Sequence, residues 1–324
     1  MKIKKNDEVL DNNSIETKDE VKPKKKWYKK LAIKGTSIFI FVMLFYPVFH
    51  FLLMWFGVNI NSILLTFQVP VRGKLTYLGF NELFFNYETL FKSLQLETTQ
   101  RMFLASFAFF IISCFITLPI AMFFSYFIFK KISGSGFFKV IFFIPSILPL
   151  IVLTLVYKLS FDPNGGFLTP LLGNIGINTA DLFIGDNAQF MVWIFCIWAG
   201  IGYDVILLTS GMARIPRDIL ESCKMDGVKP MKEFFRIIIP LTWPTITTLF
   251  VLGMMSMFNV FMQPMFLTQG QYNTMTIGLQ IYQQSGGAAL QEPATLGLFC
   301  SLVGAPIIVF VRSMLNKKYE DVSF

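Results

Sequence analysis

Histidine occurs once in the 324 residues, as His50 inside an apolar run. One imidazole gives a zinc site or a Ser-His pair almost nothing to build on. In such a setting it reads as a packed, hydrogen-bonded side chain more readily than as a ligand. The four cysteines, Cys114, Cys196, Cys223 and Cys300, stand far apart, three in apolar runs and one in a charged block. That spacing argues against a disulfide framework and against a Cys-rich metal centre. No Gly-rich loop ends in Gly-Lys-Ser/Thr, so the chain has no phosphate-binding loop with which to act as an ATPase. Convergent acids and bases are missing too, so neither a catalytic residue, a metal nor a cofactor is expected.

Charge is the next scarcity. Only 15% of the residues are charged, where soluble chains carry about a quarter. Apolar residues make up 54%, aromatics 16%, and mean hydropathy is +0.59. The net charge of +8 is concentrated in a tail and in short loops rather than spread as a face. It therefore speaks for membrane topology and not for nucleic acid.

What is present is a series of long apolar runs. They predict six spans: Ile38 to Phe56, Met102 to Phe129, Val140 to Tyr157, Phe190 to Ser210, Leu241 to Gln263 and Thr295 to Val311. Pro47 is placed to kink the first span, while Pro145 and Pro149 interrupt the third. Around these the chain divides into a Lys-rich tail at 1–34, a first transmembrane helix at 35–58 and a loop at 59–100. A five-span core at 101–315 and a short end at 316–324 complete it. The apolar run behind the tail is too long for a cleavable signal peptide. The stretches Phe161 to Gln189 and Pro264 to Pro293 hold no Lys or Arg and are expected to be outer loops. With the tail inside, 23 of 28 basic residues fall on the inner side and five on the outer. Both termini are therefore expected to be cytoplasmic.

The most specific stretch is RDILESCKMDGVKPMKEFFRIIIPLTWP, from Arg217 to Pro244. Pro216 suits the first turn of a helix. Ile219, Leu220 and Cys223 share one face at helical spacing, with Glu221 and Lys224 beside them. Gly227 is placed to end that helix in a left-handed conformation. Pro230 then starts a second helix carrying Lys232, Glu233 and Arg236, and Pro240 opens the next span. Lys232 and Glu233 are expected to be exposed.

This block resembles the EAA motif of membrane permease subunits in binding-protein-dependent ABC importers. Glu221 matches the motif Glu, Asp226 and Gly227 its Asp-Gly pair, and Ile237 to Pro240 its Ile-x-Leu-Pro ending. Ser222 and Cys223 replace two alanines and Ile239 replaces Leu. The flanks, Trp198 to Tyr203 and Leu241 to Pro244, are similar to the carbohydrate-uptake branch with its maltose-type permeases. The resemblance implies an all-α, six-span type I permease bundle in a bacterial cell membrane, importing a carbohydrate, in expectation an oligosaccharide. It implies a second homologous permease, two cytoplasmic ATPase subunits and an extracellular solute-binding protein as partners. It also implies that Ile219, Leu220, Glu221, Ser222, Cys223, Asp226, Gly227 and Pro240, within coupling helices at 216–239, dock the ATPase. In that role Glu221 makes a charge-assisted contact, and Ile219, Leu220 and Cys223 bury an apolar face in the ATPase cleft.

Two features allow two readings each. Asp204, the one carboxylate well inside an apolar run, is either a helix-end residue bonded to neighbouring helices or a cation site of an ion-coupled transporter. Asn259, Gln263, Phe258 and Phe261 offer amides for sugar hydroxyls and aromatic faces for sugar C–H surfaces. The same mixture also serves interhelical packing. An ABC permease for a non-sugar solute shares the block's logic and is the main rival reading.

Overall fold

The computed structural model describes residues 27–71, 74–77, 82–287 and 289–317. Most of the expected tail and residues 318–324 lie outside the described residues. The chain divides into two compact units at Asn59–Ile60.

Among the described residues the first unit is a helix, α1, which begins at Trp27, carries the candidate span Gly35–Leu65 and continues past Asn59. It runs nine residues beyond the predicted Phe56. Just past Pro47 it widens into a π turn at Phe51–Phe56. None of its apolar window is buried. Rings one turn apart stack along it, Phe45 on Phe49 at 5.7 Å and Phe51 on Trp55 at 4.9 Å.

The second unit begins with an antiparallel hairpin, β1 (Gln68–Val71) and β2 (Lys74–Tyr77), in the register Gln68↔Tyr77. Helix α2, Phe85–Ser93, follows. The region expected as an irregular loop thus contains regular structure, and Asn86 helps order it. Its Nδ2 donates to the carbonyls of Thr66, 2.8 Å, and Gln68, 2.9 Å. The core helices are α3 (Glu97–Phe129), α4 (Ser135–Ile147), α5 (Leu150–Ser160), a short α6 (Thr169–Gly173) and α7 (Asp186–Met212). Then come α8 (Arg217–Met225), α9 (Pro230–Leu241), α10 (Trp243–Asn259), α11 (Met262–Thr268), α12 (Ile277–Ser285) and α13 (Gln291–Asn316).

Four of these helices, α1, α3, α7 and α13, are long and apolar enough to cross a membrane. Six spans result when α4–α5 and α9–α10 each count as one, bent by 109° and 76°. The first bend falls where Pro149 is expected to interrupt the third span, with Pro145 kept inside α4, and the second corrects an expectation. The third span breaks at Leu148–Pro149, where Pro149 caps α5 with extended backbone. The fifth breaks at Thr242, two residues after Pro240, so Trp243 and Pro244 open the crossing helix. It then ends at Asn259 instead of Gln263, because Val260 is extended. The stretch Pro264 to Pro293, expected as a loop, contains the end of α11 and all of α12.

Between lipid-exposed helices there is little hydrophobic driving force, so close packing and interhelical hydrogen bonds must hold the bundle. The sequence supplies both. A Cβ at Gly202 of α7 would collide with the Phe142 carbonyl oxygen of α4, so only glycine allows this approach. Ser125 of α3 donates to the Val205 carbonyl of α7 at 3.2 Å, and Cys114 of α3 to the Phe250 carbonyl of α10 at 3.3 Å. Around these contacts lies the main core, with Tyr126, Val205, Leu208, Met212, Ile238 and Leu249 buried.

Candidate functional site

Two arrangements stand out: a charged elbow at one end of the bundle, and a cavity where the broken helices meet.

The elbow is α8, Gly227 and α9. Helix α8 starts at Arg217, with Pro216 as its N-cap, one residue before the first turn expected for it. Asp218 in its first turn and Lys224 in its last complement the helix dipole. Gly227 has φ +63°, the left-handed stop expected for it. A Cβ there would meet no other atom, so the requirement for glycine is conformational. Pro230 opens α9 as expected, and a π turn follows at Phe234–Ile238. Pro240 lies just after that turn, where its missing N–H leaves the Arg236 carbonyl without the usual helical donor.

The faces of α8 are not distributed as the resemblance implied. Cys223 is buried, Ile219 is half-buried, and Leu220 packs on the core that holds Leu208, Met212 and Phe234. The apolar face is therefore largely taken up by the chain's own bundle and is not free to fill a cleft. The face left open carries Asp218, Glu221, Ser222 and Met225, spaced at helical intervals, with Met225 82% exposed. Asp226 and Gly227 continue this exposed surface.

Glu233 overturns the expectation of exposure: it is 4% exposed, whereas its neighbour Lys232 is exposed as expected. The Glu233 carboxylate accepts from Nζ of Lys130, just past the end of α3, at 2.7 and 2.8 Å. The Tyr126 hydroxyl donates into the same corner, 3.0 Å from the Pro230 carbonyl and 3.3 Å from Oε2 of Glu233. A buried carboxylate of this kind requires a paired cation and further donors, and it has both. The partners are 103 residues apart in the chain, so no local pattern could have revealed the pair.

The cavity encloses about 480 Å³. Leu148 from the α4–α5 break and Val260 from the α10–α11 break both line it, with Ser113, Tyr203, Ser256 and Gln263. Non-helical backbone at membrane depth is tolerated where it borders a cavity, which accounts for both breaks facing this space. Asp204 is on its wall, in the second half of α7. Among the lining residues there is no Lys or Arg.

Of the four residues expected along a substrate path, the structure brings only Gln263 to this cavity. Asn259 is exposed. Phe258 packs against Gly304 of α13, and Phe261 stacks on Tyr282 of α12 at 5.0 Å. Nothing in the sequence marks Tyr203 and Ser256 as cavity-lining residues, since neither departs from an ordinary span composition.

A family described as the inner membrane component of binding-protein-dependent transport systems matches residues 98–320. Among curated relatives, the multiple sugar-binding transport system permease protein MsmF of Streptococcus mutans is 28% identical over 195 residues, 59% of this chain and 66% of that protein. The sn-glycerol-3-phosphate transport system permease protein UgpA of Salmonella typhimurium is 26% identical over 141 residues, 44% of this chain and 48% of that protein. The chain thus spans about half to two thirds of the length of these relatives. Its fold is that of a chain in the crystal structure of a bacterial alginate ABC transporter in complex with an alginate pentasaccharide-bound periplasmic protein. The TM-score is 0.76 at 20% identity, covering 88% of this chain and 96% of that one. With about two thirds of its residues inside the matched span, elbow and cavity included, this multi-pass membrane protein belongs to the inner membrane components of binding-protein-dependent transport systems.

Proposed function

We propose that the chain is one of two permease subunits of an ATP-driven importer that moves a neutral carbohydrate delivered by an extracellular binding protein. The observation that carries this reading is the elbow: a left-handed stop at Gly227 presents Asp218, Glu221, Ser222 and Met225 outward, while Glu233 ties the same element to α3. A rigid, charged element of this kind is suited to docking a cytoplasmic ATPase and passing its motion to the spans. The concentration of Lys and Arg in the tail, the short turns and the elbow supports a cytoplasmic position for the elbow and both termini.

The cavity supports the choice of substrate. Gln263, Ser256 and Tyr203 give hydrogen-bonding groups, and the absence of Lys and Arg from its lining disfavours a phosphorylated polyol, which would need a cation to pair with. Asn259, Phe258 and Phe261 sit at or beside the break but outside the cavity lining. Asp204 is then a wall residue of the path and not an ion-coupling site.

The test is uptake into vesicles holding the chain with its partner permease and ATPase subunits. Labelled neutral oligosaccharides presented with binding protein should enter only when ATP is supplied on the ATPase side. Uptake driven by a proton or sodium gradient without ATP would sink the importer reading. ATP-driven uptake of a phosphorylated or peptide solute in place of saccharides would sink the carbohydrate reading alone.

A further inference from the structure

A second cavity, of about 790 Å³, lies at the opposite end from the elbow and shares no lining residue with the first. Its volume falls in the range of small-molecule sites, about 300–1,000 Å³. Strand β1, helix α2 and the first turns of α3 form one wall; α12 and the start of α13 form the other.

The chemistry of the second wall is dominated by amides. Gln280 and Gln284 lie one turn apart on α12, and Gln291 opens α13. Gln291 is 4% exposed, and its Oε1 has no hydrogen-bond partner among the described residues. A buried carbonyl without a donor is costly, and a rotation of the Gln291 amide toward the cavity would let a ligand supply one. The charged groups nearby are already engaged. Arg101 pairs with Glu97 at 2.6 Å and donates to Oδ1 of Asn273 at 3.2 Å, and the Gln284 amide donates to Glu292 at 3.4 Å. Among the described residues, no uncommitted cation lines the space to hold an anion. On the first wall Thr89 and Ser93 add hydroxyls, and Phe85, 47% exposed, adds an aromatic face.

Amides that both donate and accept, the hydroxyl oxygens of Thr89 and Ser93 left to accept while their protons bond the Phe85 and Leu90 carbonyls, one aromatic face and no free cation together match a neutral polyhydroxylated ring. We propose that this cavity is a second saccharide site, in which Gln280, Gln284 and Gln291 bind ring hydroxyls before the sugar reaches the cavity at the helix breaks. The ligand class rests in part on the carbohydrate reading above; the site itself rests on the unpaired Gln291 and its amide neighbours.

The experiment uses the assembled transporter in nanodiscs without binding protein, with maltotriose and raffinose as probes in saturation-transfer NMR. The unaltered complex should transfer saturation to at least one probe. The double variant Gln280→Met/Gln291→Met should weaken that binding about tenfold, the effect of losing roughly two hydrogen bonds. Should the double variant fail to assemble, Gln280→Trp, which fills the cavity from a half-buried position, should abolish binding in a Gln263→Leu background instead. Gln263→Leu alone, which weakens the cavity at the helix breaks, should leave the signal from this second cavity in place. A signal lost in Gln263→Leu but kept in the Gln280 variants would overturn the second site while leaving the carbohydrate reading intact. So would saccharide uptake with no binding signal. Loss of stimulation by binding protein in the Gln280 variants, with the saccharide signal unchanged, would make the cavity a protein-docking surface and overturn the proposal. ATP-driven uptake of a non-saccharide solute, with no signal from either probe, would remove both readings.

Discussion

The two ends of the permease unit commit their polar groups in opposite ways. At the elbow, the buried Glu233 has Lys130 and Tyr126 as partners, and the apolar face of α8 is already packed on the bundle. At the hairpin end, the buried Gln291 keeps an unpaired oxygen and the walls stand apart around a large space. An end whose internal bonds are complete can transmit force without deforming. An end with bonds left open is suited to receiving something. Burial of a polar group therefore does not by itself indicate its role; whether its partners come from within the chain does.

The heaviest loss should come from breaking the completed end. Glu233→Ala strands Lys130, and removing one member of a buried pair costs about 3 kcal/mol. Lys130 keeps a quarter of its side chain exposed, which holds the figure to the low end of that range. Thermal unfolding in detergent should show the loss, and Lys130→Met/Glu233→Leu should recover most of it. An unchanged melting temperature in Glu233→Ala would mean that the pair holds nothing together.

Second in size is the outward face. Glu221→Ala should weaken ATPase binding roughly tenfold or more, the loss of a charge-assisted contact, without lowering permease stability. Gly227→Leu adds a left-handed penalty of about 1 kcal/mol and turns α8 away from its docking position. Co-purification of ATPase subunits and substrate-stimulated hydrolysis in nanodiscs report both. Normal coupling in both variants would reduce the elbow to a connection between spans.

Lesser changes belong to the cavity at the breaks. Gln263→Leu should lower saccharide uptake about fivefold, one neutral hydrogen bond, with assembly intact. Asn259→Leu should lower it less, because Asn259 is exposed and outside the cavity lining. The reverse order in uptake assays would shift the path toward Asn259. Least affected of all, Lys232→Ala should stay within about 0.5 kcal/mol of the parent in stability and leave coupling unchanged, as expected for an exposed side chain.

How much of this is legible in the sequence depends on the range of the cause. Gly227 and Pro230 can be placed because their effects are local: one tolerates a positive φ, the other has a fixed φ and no N–H. The apolar runs can be placed because a bilayer demands length and composition alone. Glu233 cannot, since its partner comes from the far end of α3 and its neighbours Lys232 and Arg236 are both exposed. The bend at Thr242 falls two residues after Pro240, the position that the sequence points to, because the π turn at Phe234–Ile238 absorbs that proline. Helix α12 escapes a sequence reading because its Gly and Gln content resembles a loop, and only its packing on α13 reveals a buried face.

The close approach at Gly202 has a mechanical consequence. With the Phe142 backbone seated directly on α7, α4 cannot slide or roll against it without a collision. Helix α3 is joined to α7 through Ser125, and the residue that follows its last turn, Lys130, joins it to α9 through Glu233. These helices are therefore tied to one another, and the joints nearest to them, where helical hydrogen bonding is interrupted, are the breaks at Leu148–Pro149 and Val260. Both joints border the smaller cavity. A push on the elbow would then change the shape of that cavity, because residues at the two joints are also residues of its wall.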